Sequence, residues 1–266
     1  MSFVELSYWD VGLAALLLCV NGGLSVWLRL GMERQLAIAA LRMVVQLGLV
    51  GLVLKALFAA VSPWLTAAAV LVMIGFAGYE AMSRQTRRMT GAWGYGLGTV
   101  AILFASTLVT AFALITQVQP DPWYAPQFAI PLLGMILGNC MTGVALGLGQ
   151  LFGRAGKERL AIEAMLALGY SRQEALKPLI RESVRAGLIP IVNSMAATGL
   201  VALPGMMTGQ ILAGVDPVQA VKYQMLIMFL IAGGTAIGVM TAVLIGAGLI
   251  SDERHRLRLD RLTPAK

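Results

Sequence analysis

Charge is what this chain has least of. Asp, Glu, Lys and Arg together make up 12% of its 266 residues, about half of the roughly 25% found in soluble domains. A water-soluble fold of this size cannot cover its surface with so few charges, which excludes a soluble enzyme. A disordered chain is excluded as well, because apolar residues dominate. Histidine occurs once, as His255, in a basic tail where it reads as a solvated residue, and no His/Asp/Glu cluster with metal-ligand spacing accompanies it. The two cysteines, Cys19 and Cys140, lie inside apolar runs. They exclude a disulfide framework and read as small buried hydrophobes. A phosphate loop of the form G-x-x-x-x-G-K-S/T is missing too. The nearest fragment, Gly156-Lys157-Glu158, lacks the upstream glycine and has a carboxylate where a magnesium-binding hydroxyl belongs. The chain therefore hydrolyses no nucleotide by itself. Its start, Met1-Ser2-Phe3-Val4-Glu5, has no basic segment and leads into an apolar run of spanning length, so no cleavable signal peptide is expected.

Apolar length is what the chain has in abundance. Hydrophobic residues are 58% beside 30 glycines, and mean hydropathy is +0.80. This defines an integral membrane protein. A helical span takes about 20 predominantly apolar residues, and seven stretches qualify, near 9–30, 37–58, 64–82, 92–116, 127–152, 184–206 and 219–249. All should be α-helices, because the runs are too long and too continuously apolar for barrel strands. The expected fold is thus an all-α polytopic domain over 1–266, its last helix capped by Asp216-Pro217. The net charge of +7 follows from loops on one side of the bilayer. Arg29 and Arg34 flank the first loop, and Arg84, Arg87 and Arg88 lie in the third. Arg154, Lys157, Arg159, Arg172, Lys177, Arg181 and Arg185 crowd the fifth connection, while Arg254, Arg256, Arg258, Arg261 and Lys266 fill the tail. The alternate connections, 117–126 and 207–218, hold no Lys or Arg, and only Lys55 and Lys222 fall near that face. The asymmetry places the N-terminus outside and the C-terminus in the cytoplasm.

Residues 153–183 are the one substantial stretch outside the spans. Lys157 to Leu168 consists of helix formers, and Gly169 stands where a left-handed residue would end that helix. Ser171-Arg172-Gln173-Glu174 has the S-x-x-E spacing of a capping box and starts a second helix. Ala161, Ile162, Met165 and Leu166 give the first helix one apolar stripe. Such a helical hairpin can lie on the bilayer surface or dock a soluble partner.

Glu163-Ala164-Met165-Leu166-Ala167-Leu168-Gly169 resembles the E-A-A-x-x-x-G loop of ATP-binding-cassette (ABC) importer permeases, with Met165 in place of the second alanine. The downstream apolar-proline element is matched loosely, by Ile189-Pro190. Together with Gly138-Asn139 and the run Leu203-Pro204-Gly205-Met206-Met207-Thr208-Gly209-Gln210-Ile211-Leu212-Ala213-Gly214, the chain resembles the Fet-type iron-export permeases. These are bacterial subunits related to plant aluminium-tolerance membrane proteins. The resemblance implies an inner-membrane permease paired with a separate ATPase, acting in iron homeostasis and oxidative-stress resistance. It also implies that Glu163, Ala164, Met165, Gly169, Ser171 and Glu174 form the ATPase-coupling element. ATP and Mg would then be bound by two copies of the partner subunit and no cofactor by this chain, which would pair with a second copy of itself.

Polar groups at membrane depth are expensive, roughly 2.5–3.5 kcal/mol for a central charge on insertion scales, and each needs a reason. Arg42 and Gln46 share a face of the second helix, and Glu80 is a candidate ion partner for Arg42 at similar depth. That pair either fixes packing or lines a pathway. Asn139 lies among Gly134-x-x-x-Gly138 and Gly143-x-x-x-Gly147, whose small residues permit close helix approach. Asn193 and Ser194 follow the helix-bending Pro190. Pro204-Gly205 should interrupt the sixth span near its outer face, which makes 204–214, with Met206, Met207 and Gln210, the first candidate for a gate. Most of the fifteen methionines read as packing. Met206-Met207 is the one soft-metal pair worth keeping, and thioethers suit copper(I) better than iron.

The residues and the resemblance together lead to a permease, with export or import and the cargo left open. A secondary transporter would call for mid-membrane acidic residues and inverted repeats, whereas Glu80 and Asp10 fall near span ends. A receptor or scaffold would use the basic hairpin as a platform.

Overall fold

The computed structural model describes residues 7–252 and 256–264. The first residues of the chain, Arg254, His255 and Lys266 lie outside that description. Nine α-helices occur among the described residues, and no strand does: α1 Tyr8–Trp27, α2 Glu33–Ala60, α3 Pro63–Ser83, α4 Ala92–Ala113, α5 Pro126–Lys157, α6 Arg159–Ala167, α7 Arg172–Ala197, α8 Gly205–Leu212 and α9 Pro217–Leu249. A π-helical turn, Leu114–Val118, prolongs α4. The local chemistry explains the boundaries. Ser7 with Asp10 and Ser171 with Glu174 form capping boxes at α1 and α7, Pro63 and Pro126 open α3 and α5, and Asp216 accepts the Gln219 N–H at 3.1 Å to start α9. Each device satisfies N–H groups that a helix start leaves without partners.

Among the described residues, six helices are long and apolar enough to cross a membrane: Trp9–Trp27, Glu33–Ala60, Pro63–Ser83, Ala92–Val118, Pro126–Lys157 and Pro217–Leu249. The span expected at 184–206 is different. Its helix, α7, begins at Arg172 inside the hairpin, ends at Ala197, and leaves 198–204 as turns. Thr198 turns its hydroxyl back to the Ser194 carbonyl at 2.7 Å, and Gly199 adopts φ +95°. The expected break at Pro204-Gly205 thus comes six residues earlier, at Thr198, and Pro204 is the N-cap of α8. Residues 198–206 carry no charge, so hydropathy runs straight through a turn.

Glycines set the packing. A Cβ on Gly143 of α5 would stand 2.9 Å from the Gly187 carbonyl of α7 and 2.8 Å from Val239 of α9, and one on Gly187 would stand 2.7 Å from the Gly143 carbonyl. One turn on, Gly147 faces Ser183 and Val243. These contacts run upward in α5 and α9 and downward in α7, so α7 lies antiparallel to the other two. Gly234 and Gly238 of α9 close the seam against Ile136 and Cys140 of α5. Gly138, by contrast, has open space where its Cβ would be. Only one of the two small-residue motifs foreseen on α5 therefore packs closely. In lipid such contact replaces the hydrophobic effect as the source of association. α3 and α4 complete the body around α5 and α9.

Helices α1 and α2 pack on each other, and α2 meets the body at α5 and, through Arg42 and Glu80, at α3. Ser25 and Leu57 are their buried described residues. Cys19 is accordingly exposed, whereas Cys140 is buried; the expectation of two buried cysteines holds for one. At 32 and 33 residues, α5 and α9 reach about 48 and 50 Å. Both outrun a hydrocarbon core of about 30 Å.

Candidate functional site

The hairpin is built as a rigid bracket. α5 runs to Lys157, kinks at Glu158 and continues as α6. Arg154 holds the kink, donating from Nε to Glu158 Oε1 at 2.7 Å and pairing with Glu182 on α7. At the other end of α6, Tyr170 N–H bonds the Met165 carbonyl and Gly169 N–H the Leu166 carbonyl, both at 3.1 Å, with Gly169 at φ +91°. This is the Schellman closure that a glycine at that position permits. Glu174 then caps α7, accepting from Ser171 N–H at 2.9 Å and from its hydroxyl at 2.7 Å. Those two bonds, with Lys177 nearby, hold the Glu174 carboxyl below its ordinary value.

α6 carries two apolar faces. Ile162, Met165 and Leu166 face inward and join the apolar core that also holds Leu176 and Leu179. Met165 thus supports the hairpin from within, and Ala161, expected in that stripe, is exposed. Opposite them stand Leu160, Ala164 and Leu168, the two leucines 81% and 79% exposed. Glu163 flanks this ridge, fixed by Arg159 at 2.8 Å. The sequence reading missed the ridge, although its spacing of four was there to be seen.

The C-terminal segment packs back on the bracket. Leu257 lines one small gap together with Ile162, Leu166 and Leu176, and Leu262 is buried beside Met89. Thr263 N–H bonds the Arg88 carbonyl and Thr90 N–H the Arg261 carbonyl, both at 2.8 Å. Arg258 pairs with Asp260 at 2.8 Å, which holds the Asp260 carboxyl down at about 2. The tail therefore ties the α3–α4 turn to the hairpin.

Arg42 and Glu80 meet, as their depth suggested, at 3.0 Å. Two further contacts surround them: Arg84 reaches Glu80 at 3.4 Å, and the Arg42 guanidinium lies 5.6 Å above the Phe76 ring centroid. Gln46, one turn along α2, is exposed. Asn139 and Asn193 are exposed on α5 and α7, Asn139 donating to its own helix at Met135 O, 2.9 Å. Pro204 and Met207 line a cavity of about 400 Å³ between the end of α7, α8 and α9. Met206 faces outward, so the methionine pair is split. Gln210 keeps its Oε1 buried and without a partner.

An all-helical, multi-pass membrane protein with a braced helical hairpin at one end is the class these features define. The chain belongs to the family described as "Uncharacterised protein family (UPF0014)", which matches residues 8–249. It is 38% identical over 231 residues to "UPF0014 membrane protein slr1647" of Synechocystis, covering 86% of this chain and 88% of that one. It is 33% identical over 253 residues to "Probable iron export permease protein FetB" of Escherichia coli, covering 95% of each. Identity to "Protein ALUMINUM SENSITIVE 3" of Arabidopsis thaliana is 30% over 214 residues, 80% of this chain and 76% of the plant protein. No solved structure matches.

Proposed function

We propose that this chain is the membrane half of an ABC transporter that exports iron across a bacterial inner membrane. It would work as a homodimer driven by two copies of a separate cytoplasmic ATPase that bind the ATP and Mg. One observation carries the coupling part: a hairpin braced by Arg154, Gly169 and Ser171-Glu174 exposes an apolar ridge, Leu160-Ala164-Leu168, along α6. Two leucines held out on a stiff support suit insertion into a cleft, and a stiff support transmits a push. The N-out, C-in orientation rests on the one-sided distribution of Lys and Arg. Asn139 and Asn193 favour a second copy, since amides exposed to hydrocarbon are costly unless another surface or a water-filled path meets them. Iron rests on the name of the Escherichia coli relative, and lowering free iron would be the link to oxidative-stress resistance.

The test is reconstitution with an ABC ATPase subunit that co-purifies with this chain. Leu160→Asp with Leu168→Asp should leave insertion intact and abolish stimulated ATP hydrolysis together with Fe(II) movement into inverted vesicles. Full turnover in that variant would remove the ridge as the coupling element. Loss of membrane partitioning by a hairpin peptide, with turnover unchanged, would make it a bilayer-surface anchor.

A further inference from the structure

The cavity at the end opposite the hairpin has a donor set that no function above uses. Four methionines line it, Met195 of α7, Met207 of α8, and Met225 and Met228 of α9, with Pro204 at its edge. Gln224 lines it too, only 7% exposed, and its Oε1 has no hydrogen-bond partner. A buried amide carbonyl without a partner is costly unless something meets it. No Asp, Glu, His or Cys lines the cavity, and among the described residues no group of three or more such side chains is placed to hold a metal ion.

We infer that this cavity binds a soft monovalent cation of the copper(I)/silver(I) class through methionine thioethers, with the Gln224 carbonyl as the oxygen donor. Thioethers are polarizable, uncharged ligands that select soft ions and serve iron(II) poorly. Charge decides in the same direction. Desolvation cost grows with the square of the charge, so a divalent ion loses about four times as much as a monovalent one. Without a carboxylate in the lining, nothing offsets that difference. The site also lies where chain direction changes, at the Gly199 turn and the Pro204 cap, and its lining comes from α7, α8 and α9. Binding stands on the cavity's own chemistry. The cavity is a site separate from the iron cargo that the permease reading proposes.

The experiment uses the full chain in nanodiscs, carrying Cys19→Ser to remove the exposed thiol, with ¹³C-methyl methionine. Fifteen methionines give fifteen methyl signals, assigned by single Met→Leu substitutions. Titration with Ag(I) should shift the signals of Met207 and Met228, saturating near one equivalent. Met207→Leu with Met228→Leu should weaken binding more than tenfold, and Gln224→Leu should weaken it less. Zn(II), which shares the filled d shell but is divalent, should leave the signals in place. Equal drift of all fifteen signals, no shift at the cavity, or an equal response to Zn(II) would each overturn the assignment. Repeating the titration in the Leu160→Asp/Leu168→Asp chain separates the two readings. Shifts that persist while ATPase stimulation is lost leave the site standing. Absent shifts in the unmutated hairpin chain, with its ATPase stimulation intact, sink the site and spare the permease.

Discussion

Gly169 ends α6 at φ +91°, and nothing stands within 4 Å of where its Cβ would be. A substitution there is opposed by the backbone alone. Gly169→Val should cost about 1–2 kcal/mol, while Gly169→Asn, whose side chain tolerates the left-handed region, should recover most of it. Limited proteolysis of the hairpin and stimulated ATP hydrolysis should rank the three chains Gly, Asn, Val. Glu174, the third residue of α7, makes a pH prediction. Its carboxyl sits below the ordinary 4.5 because Ser171 donates to it twice and Lys177 lies near. A depressed folded pKa means stabilisation that is fully present above the unfolded value and is lost as pH falls through the folded one. Hydrogen exchange in the first turn of α7, corrected for intrinsic rate, should therefore stay level from neutral pH to about 5 and rise below 4.5. Glu174→Gln should show the raised rate throughout.

Between elements, the glycine seam is the most exacting contact. Gly143→Ala or Gly187→Ala must push apart backbones that meet at 2.7–2.9 Å from the added carbon. Overpacking of this kind costs roughly 1–3 kcal/mol, readable as a lower folded fraction in mild detergent. Gly138→Ala, five residues from Gly143 with open space around it, should be neutral. The Arg42–Glu80 pair makes a different prediction from the one its spacing alone suggests. A plain charge swap would restore an isolated ion pair. Here Arg84 also binds Glu80, so Arg42→Glu with Glu80→Arg sets two arginines side by side and should fold poorly. Adding Arg84→Glu should recover expression, and failure of that triple variant would show the residues serve more than packing. The tail supplies a third element-level test. Leu262→Asp places a charge where a buried leucine contributes about 1.5–3 kcal/mol, and residues 84–91 should lose exchange protection while the spans keep theirs.

For the molecule as a whole, orientation decides what the hairpin can touch. Cysteine placed at Asp121 should be labelled from outside intact cells, and cysteine at Ser171 only after permeabilisation. The reverse pattern would remove the hairpin from the cytoplasm and with it any docking of an ATPase. Arg154 belongs to this scale too, since it joins α5, the α6 kink and α7 through Glu158 and Glu182. Arg154→Gln should leave topology unchanged and uncouple hydrolysis from transport.

Composition alone settled the membrane class, because too few charges exist to cover a soluble surface. Short-range chemistry settled the helix ends, since the caps at Ser171 and Asp216 and the left-handed turn at Gly169 act within four residues. What sequence could not decide was which apolar face meets protein and which meets lipid. In a bilayer both surroundings are apolar, so periodicity that would mark a core in water marks nothing. Only the packed structure separates Gly143 from Gly138, Met207 from Met206, and buried Cys140 from exposed Cys19. The same holds for the tail's return to Met89, a contact between residues far apart in the chain that depends on the tertiary arrangement.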